Sequence, residues 1–200
     1  MPRALMQFVR LIDLMNKGVG RVAMYGIFAM MAVLLYSSIS KSFFNPSLWT
    51  LEVAQFLMVA YFILGGPYSI QLGSNVRMDL FYGGWSVRTK AMVDSVSVLC
   101  LLFYLGILFQ GAMVSMAYSL GYFGAEPYAF YWDLLTAFVT GGPDAAGEML
   151  GYLERSSTAW RPFLWPVKLV LIAGVFLMLL QVLAELIRDI DHLISGKEDT

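Results

Sequence analysis

From Val53 to Val76 no Asp, Glu, Lys, Arg or His interrupts the chain, and the run then stops on Arg77 and Asp79 in GSNVRMDL. A helix needs about 20 residues to cross the roughly 30 Å of hydrocarbon in a bilayer. Inside that layer every backbone polar group must be satisfied by its own segment or by a closed barrel. Three further stretches meet the length condition. One lies between Arg21 and Lys41 (VAMYGIFAMMAVLLYSSIS), one between Asp94 and Glu126, and one from Phe163 to Ile187. The last requires Lys168 to snorkel its ammonium to the headgroups. These runs are continuous, without the alternation of a barrel strand. Composition agrees, with 59% hydrophobic and 14% charged residues in 200, against about 25% charged in soluble domains. The expected fold is an all-α membrane protein in one domain, 1–200, with transmembrane helices at 22–40, 50–72, 95–120 and 163–187.

The flanks add detail. RALMQFVRLIDLMNK, residues 3–17, places Arg3, Gln7, Arg10, Asp13 and Lys17 on one stripe at steps of three and four. That is the pattern of an amphipathic helix, suited to the membrane interface and also to docking on a partner protein. The first span is longer than the apolar core of a signal peptide and no A-x-A-like site follows it, so it is expected to be retained. Between spans three and four lies a connection, 121–161, rich in aromatics at Tyr122, Phe123, Tyr128, Phe130, Tyr131 and Trp132. It reads as short helices at headgroup depth, with Pro143 in the first turn of a second one. Ser156, Ser157 and Thr158 offer caps for the fourth span. Nine of the 13 Lys and Arg (Arg3, Arg10, Lys17, Arg21, Arg77, Arg88, Lys90, Arg188, Lys197) share one side if the N-terminus is inside. The positive-inside rule therefore puts both termini in the cytoplasm.

Several chemistries are excluded. One Cys, Cys100, permits no internal disulfide, and no CxxC or Cys/His cluster suggests a metal. A formal net charge of -1 without a basic run argues against nucleic acid. His192 is the single histidine and falls beyond the fourth span, so this chain cannot hold a haem between two histidines. There is no HExxH, GxSxG or Walker-type loop, and the carboxylates are scattered. No catalytic, cofactor-binding or metal residue is assigned, and the chain is not read as an enzyme.

Polar positions near the spans carry what remains. Glu52, three residues after Trp49, sits in the first turn of the second helix. There the helix dipole favours a carboxylate, and a specific contact with another helix or subunit is the alternative. Asp94 opens the third helix in the same way. Gln55, Gln71 and Gln110 can hydrogen-bond between helices without forming a transport path. Gly65, Gly66 and Pro67 are expected to bend the second helix. Solute transport normally needs polar groups near the midplane, often at broken helices. Four apolar spans carrying glutamines therefore read as a partner subunit, binding lipid and protein.

WTLEVAQFLMVAYFILGGPYSIQLGSNVRMDLF, Trp49 to Phe81, resembles the characteristic stretch of the small membrane subunit of tripartite ATP-independent periplasmic (TRAP) transporters, the DctQ type. The matching residues are Trp49, Glu52, Gly65, Arg77, Asp79 and Leu80. One departure is Asn75, where many members have His, so no proton-linked role is carried over to it. The resemblance implies a bacterial inner-membrane subunit without a cofactor. It would pair with a large DctM-type permease that carries solute and sodium, fed by a periplasmic substrate-binding protein. It also implies a stationary scaffold against which the partner moves like an elevator. Trp49, Glu52, Gly65, Arg77, Asp79 and Arg88 are the resulting candidates for a partner interface or a structural role. The alternative is a membrane anchor or assembly subunit of another inner-membrane complex.

Overall fold

A computed structural model describes residues 3–72 and 87–195. Its elements are α1 Arg3–Phe43, α2 Thr50–Gln71, α3 Val87–Ser119, α4 Pro127–Glu148 and α5 Trp165–Ser195. Four of them, α1, α2, α3 and α5, are long and apolar enough to cross a membrane. The protein is all-helical with four spans, the expected class.

Local chemistry sets the ends. Pro46 disfavours helical backbone at Asn45, and α1 stops just before, with Ser40 Oγ donating to Asn45 O at 2.7 Å. Pro166 occupies the first turn of α5, where its missing N–H leaves no gap in the helix bonds. Inside α2, Pro67 is buried and cannot donate to the helix ladder.

The stretch 3–17 is helical but is not set off from the first span. One helix of 41 residues runs from Arg3 to Phe43, ~60 Å at 1.5 Å per residue. A buried stripe passes straight through the expected boundary: Val9, Ile12, Asn16, Gly20, Ala23, Ser37 and Ser40 all face the bundle. Val9 and Ile12 pack with Ala184 of α5, so the segment's inner face is covered by another helix.

The hub is α5, which packs against α1, α2 and α3, while α4 touches α3. Val175 and Val182 are buried with Leu105 of α3. Lipid tails are as apolar as leucine, so helix association here depends on close packing, which small residues permit. Gly174 supplies that for α2 and α5, since a Cβ there would lie 2.2 Å from Ile63 Cγ2. Outward, Phe28, Leu35, Phe62, Leu99 and Phe103 are exposed, as a surface facing hydrocarbon or a partner helix requires.

The connection begins where α3 ends. Gly121 has φ 85°, and a Cβ there would fall 2.5 Å from the backbone of Gly151. Only glycine allows the returning chain to cross so closely, with Gly151 N–H donating to Leu120 O at 3.0 Å. Gly142, at φ 77° and ψ -168°, breaks α4 into two helices with Pro143 opening the second. Beyond α4, Arg155 pairs antiparallel with Phe163. Ser156 N–H bonds Pro162 O and Leu164 N–H bonds Glu154 O, closing a tight hairpin that leads into α5.

Candidate functional site

Two polar clusters tie the bundle at opposite ends, one at the end that carries the connection and one at the end that carries the termini.

At the connection end, Trp49 precedes α2 and stacks on Tyr36 of α1, ring centroids 5.6 Å apart. Thr50, fully buried, links the helices through Ser37 Oγ at 3.0 Å and Ser47 Oγ at 2.9 Å. Glu52 is 3% exposed. Its Oε1 accepts a hydrogen bond from Ser156 Oγ at 2.6 Å and another from Thr158 Oγ1. Its Oε2 is buried without a partner. The carboxylate therefore pins the hairpin 154–164 to the start of α2, a specific contact made within the chain. Ser156 and Thr158, expected as caps for the fourth span, instead bind Glu52, because the hairpin places them several residues before α5 begins at Trp165.

Beside this lies Lys168. Its ammonium bonds Glu154 Oε2 at 2.6 Å and Ser115 O at 3.1 Å, partners within the chain. Ser119 Oγ donates to the same carboxylate oxygen at 2.5 Å. The hairpin delivers a carboxylate to within reach, and a charge-assisted hydrogen bond forms. Burial pushes the Glu154 carboxyl up. The hydrogen bonds from Lys168 and Ser119, with the Lys168 charge, more than offset this and hold it below its usual value.

At the terminal end, Asn16 Nδ2 donates to Gln181 Oε1 at 2.6 Å, both residues at most 1% exposed. Gln181 Nε2 reaches Asp13 Oδ1 at 3.2 Å and Glu185 Oε1 at 3.1 Å. Arg188 closes the group, bonding Glu185 at 2.6 Å through Nη1 and Asp13 through Nη2. Gln71 Nε2 donates to Asp13 O at 3.4 Å, bringing α2 into the same cluster.

Of the six residues singled out from sequence, Trp49 and Glu52 stand together. Gly65 lies more than three turns along α2, with nothing within 4 Å of a Cβ built on it. Arg77 and Asp79 fall outside the described residues. Arg88 lies on α3, but its side chain is outside them as well. Gln71 bridges helices, while Gln55 and Gln110 are exposed. The sequence reading passed over Asn16, Glu154, Gln181 and Glu185. A signal existed for part of this, since Gln181, Glu185 and Arg188 recur on one face of α5 at steps of four and three. Among the described residues no group of three or more His, Cys, Asp or Glu is placed to hold a metal.

This arrangement defines a polytopic helical membrane protein in which, among the described residues, two clusters of polar side chains join its own helices. The family profile described as tripartite ATP-independent periplasmic transporters, DctQ component, matches residues 30–192. The chain belongs to that family, the small membrane component of a transporter. No curated protein and no solved structure matches it.

Proposed function

We propose that the chain braces a large DctM-type permease in the bacterial inner membrane. The complex would carry out sodium-coupled uptake of an organic acid or similar solute delivered by a periplasmic binding protein. Family membership supports the assignment to such a complex. The division of labour is carried by where the polar groups go. Asp13, Glu154, Lys168, Glu185 and Arg188 pair within the chain at its two ends, and Glu52 is held by hydroxyls. Solute and ion coordination would need free polar groups deep in the spans. On this reading the cytoplasm holds both termini and the periplasm holds the connection, following the basic bias.

The test is purification in mild detergent followed by reconstitution. A large permease is expected to copurify, and the small chain alone is expected to move no solute. Sodium-dependent uptake by the small chain alone would overturn the reading. Copurification with an unrelated enzyme or assembly complex, and no permease, would favour the anchor alternative.

A further inference from the structure

Helix α3 has one covered side and one open side. Leu105, Ala112 and Met116 are buried, and Leu105 meets Val175 and Val182 of α5. On the opposite side Ile107, Gln110, Gly111, Val114, Ser115 and Tyr118 line a shallow cavity of about 550 Å³. Their spacing of three, one, three, one and three keeps them on one helix face. Ile107, Val114 and Tyr118 are about half exposed, and a Cβ built on Gly111 would meet nothing within 4 Å. One member of this apolar face is out of place. The Gln110 side chain is exposed, and its amide carries two N–H donors and a carbonyl acceptor.

Gln110 is also deep. The apolar stretch of α3 runs from Val96 to Ser119, and Gln110 stands 14 residues after the first and nine before the second. At 1.5 Å per residue those distances are roughly 21 Å and 13 Å. Roughly 30 Å of hydrocarbon centred on this stretch leaves Gln110 about 10 Å from the nearer edge. Snorkelling is hindered by direction, because side chains on a helix lean toward its N-terminus. That turns the amide away from the Ser119 end and toward the bilayer centre. Acyl chains return no hydrogen bond to it, and the hydrocarbon core holds no water to do so.

We infer that this face of α3 seats a transmembrane helix of the large permease, which presents a hydrogen-bonding side chain to Gln110. The inference rests on the proposed function and says where the brace is joined. Gln110 selects the class of occupant: a membrane-embedded polypeptide satisfies a deep amide, whereas lipid and a water-soluble protein do not. Family membership selects the chain, since the DctQ component belongs to a transporter of three different parts. The open space at Gly111 lets the incoming backbone approach closely, as membrane helix contacts favour. A lone amide beside apolar neighbours supplies one bond for a partner helix and no cage for a solute or ion.

The test uses the full chain in its own membrane. Photoreactive benzoylphenylalanine in place of Val114 is activated there, and the adducts are identified by mass spectrometry. A permease adduct is expected. In a second arm, Gln110→Leu should lower the permease retained on dilution by about threefold, the size of a typical interhelical hydrogen bond in a membrane. The isolated Gln110→Leu chain should melt at or above wild type, because the exposed amide has no structural task within the chain. Adducts to lipid alone or to a second copy would overturn the inference while leaving the proposed function standing. So would undiminished retention of the permease by Gln110→Leu, or an isolated variant that melts below wild type. A wild-type preparation without any permease would overturn the proposed function and this inference together.

Discussion

Alanine at Gly174 should force α2 and α5 apart, and alanine at Gly65 should not. A Cβ at 174 would lie 2.2 Å from Ile63 Cγ2, 2.9 Å from Ile63 O and 3.1 Å from Ile63 C. A new Ile63 rotamer can relieve the first clash for about 0.5–1.5 kcal/mol. The carbonyl belongs to the helix, so relieving the other two requires α2 itself to move. Carbon atoms rest at roughly 3.5–4.0 Å, so the helices must part by about 0.5–1 Å at this level. Overpacking of that kind costs about 1–3 kcal/mol, while alanine returns about 0.5–1 kcal/mol over glycine in a helix. Overpacking wins, and Gly174→Ala should lower stability by about 0.5–2 kcal/mol. Gly65 has nothing within 4 Å of its added Cβ, so propensity alone acts and the variant should match or exceed wild type. Unfolding in detergent, followed by thermal melting of the purified chain, measures both. A Gly174→Ala chain that melts at or above wild type would refute the close approach of α2 and α5. The same pair informs the partner interface. If Gly65→Ala is stable yet copurifies less of the permease, the open space beside Gly65 belongs to the partner.

Glu52→Ala should release the hairpin and speed tryptic cleavage after Arg155, which precedes Ser156. A double-mutant cycle with Ser156→Ala should show a coupling of about 1.5–3 kcal/mol, the range for a hydrogen bond to a charged group; unchanged cleavage would remove Glu52 as the pin. Glu154 has a folded pKa below its usual 4.5, so its stabilising effect is complete above that value and is lost as pH falls through the lower folded value. Melting followed from about pH 7 to about pH 3 should lose this acid-labile part in Glu154→Gln, and an identical pH profile would count against the ion pair. Cysteines at Ser47 and Asp144, in a Cys100→Ser background, should react with an impermeant thiol reagent from the periplasm while one at Gly84 does not; the reverse pattern would invert the topology. Arg77→Lys should reduce copurification or uptake, because an ammonium snorkels to lipid phosphate as well but lacks the guanidinium's fork. Asp79→Asn should do comparable harm, and full function in Arg77→Lys would reduce that arginine to a lipid anchor.

The spans were legible because a bilayer tolerates so few alternatives: twenty or so uncharged residues in a row can do little but form a helix. Glu52 was also visible as an oddity, a carboxylate at the threshold of an apolar run. Its partners were not, since Ser156 and Thr158 lie more than a hundred residues away and reach it only through a hairpin held by backbone bonds. The partner of Lys168 was hidden for the same reason, since only the return of Glu154 past Gly151 and Gly121 brings that carboxylate to it. That 3–17 and 22–40 belong to one helix was not legible, because the partners of the first stretch lie on α5. The structure turns one member of its polar stripe, Asp13, toward Arg188 and Gln181, and buries the neighbouring Val9, Ile12 and Asn16.

Taken together, the two polar clusters do something that neither does alone. A helix bound to its neighbours by apolar contacts only can shift along them at small cost, since lipid replaces one apolar surface with another. In α5, Lys168 is fixed near one end, and Gln181, Glu185 and Arg188 are fixed near the other. Sliding α5 by one turn, about 5.4 Å, would break both clusters at once. It would part Lys168 from its carboxylate and Asp13 from Arg188 and Gln181, and a partly buried charge that loses its partner is destabilised. Rotation about the helix axis meets the same penalty, because Asn16 and Gln181 are enclosed and have no water to turn to. The register of α5 against α1, α2 and α3 is therefore locked at both ends while the middle stays apolar. A subunit built this way resists the small sliding motions by which packed helices commonly change state, and that resistance is what the proposed role as a stationary brace demands of it.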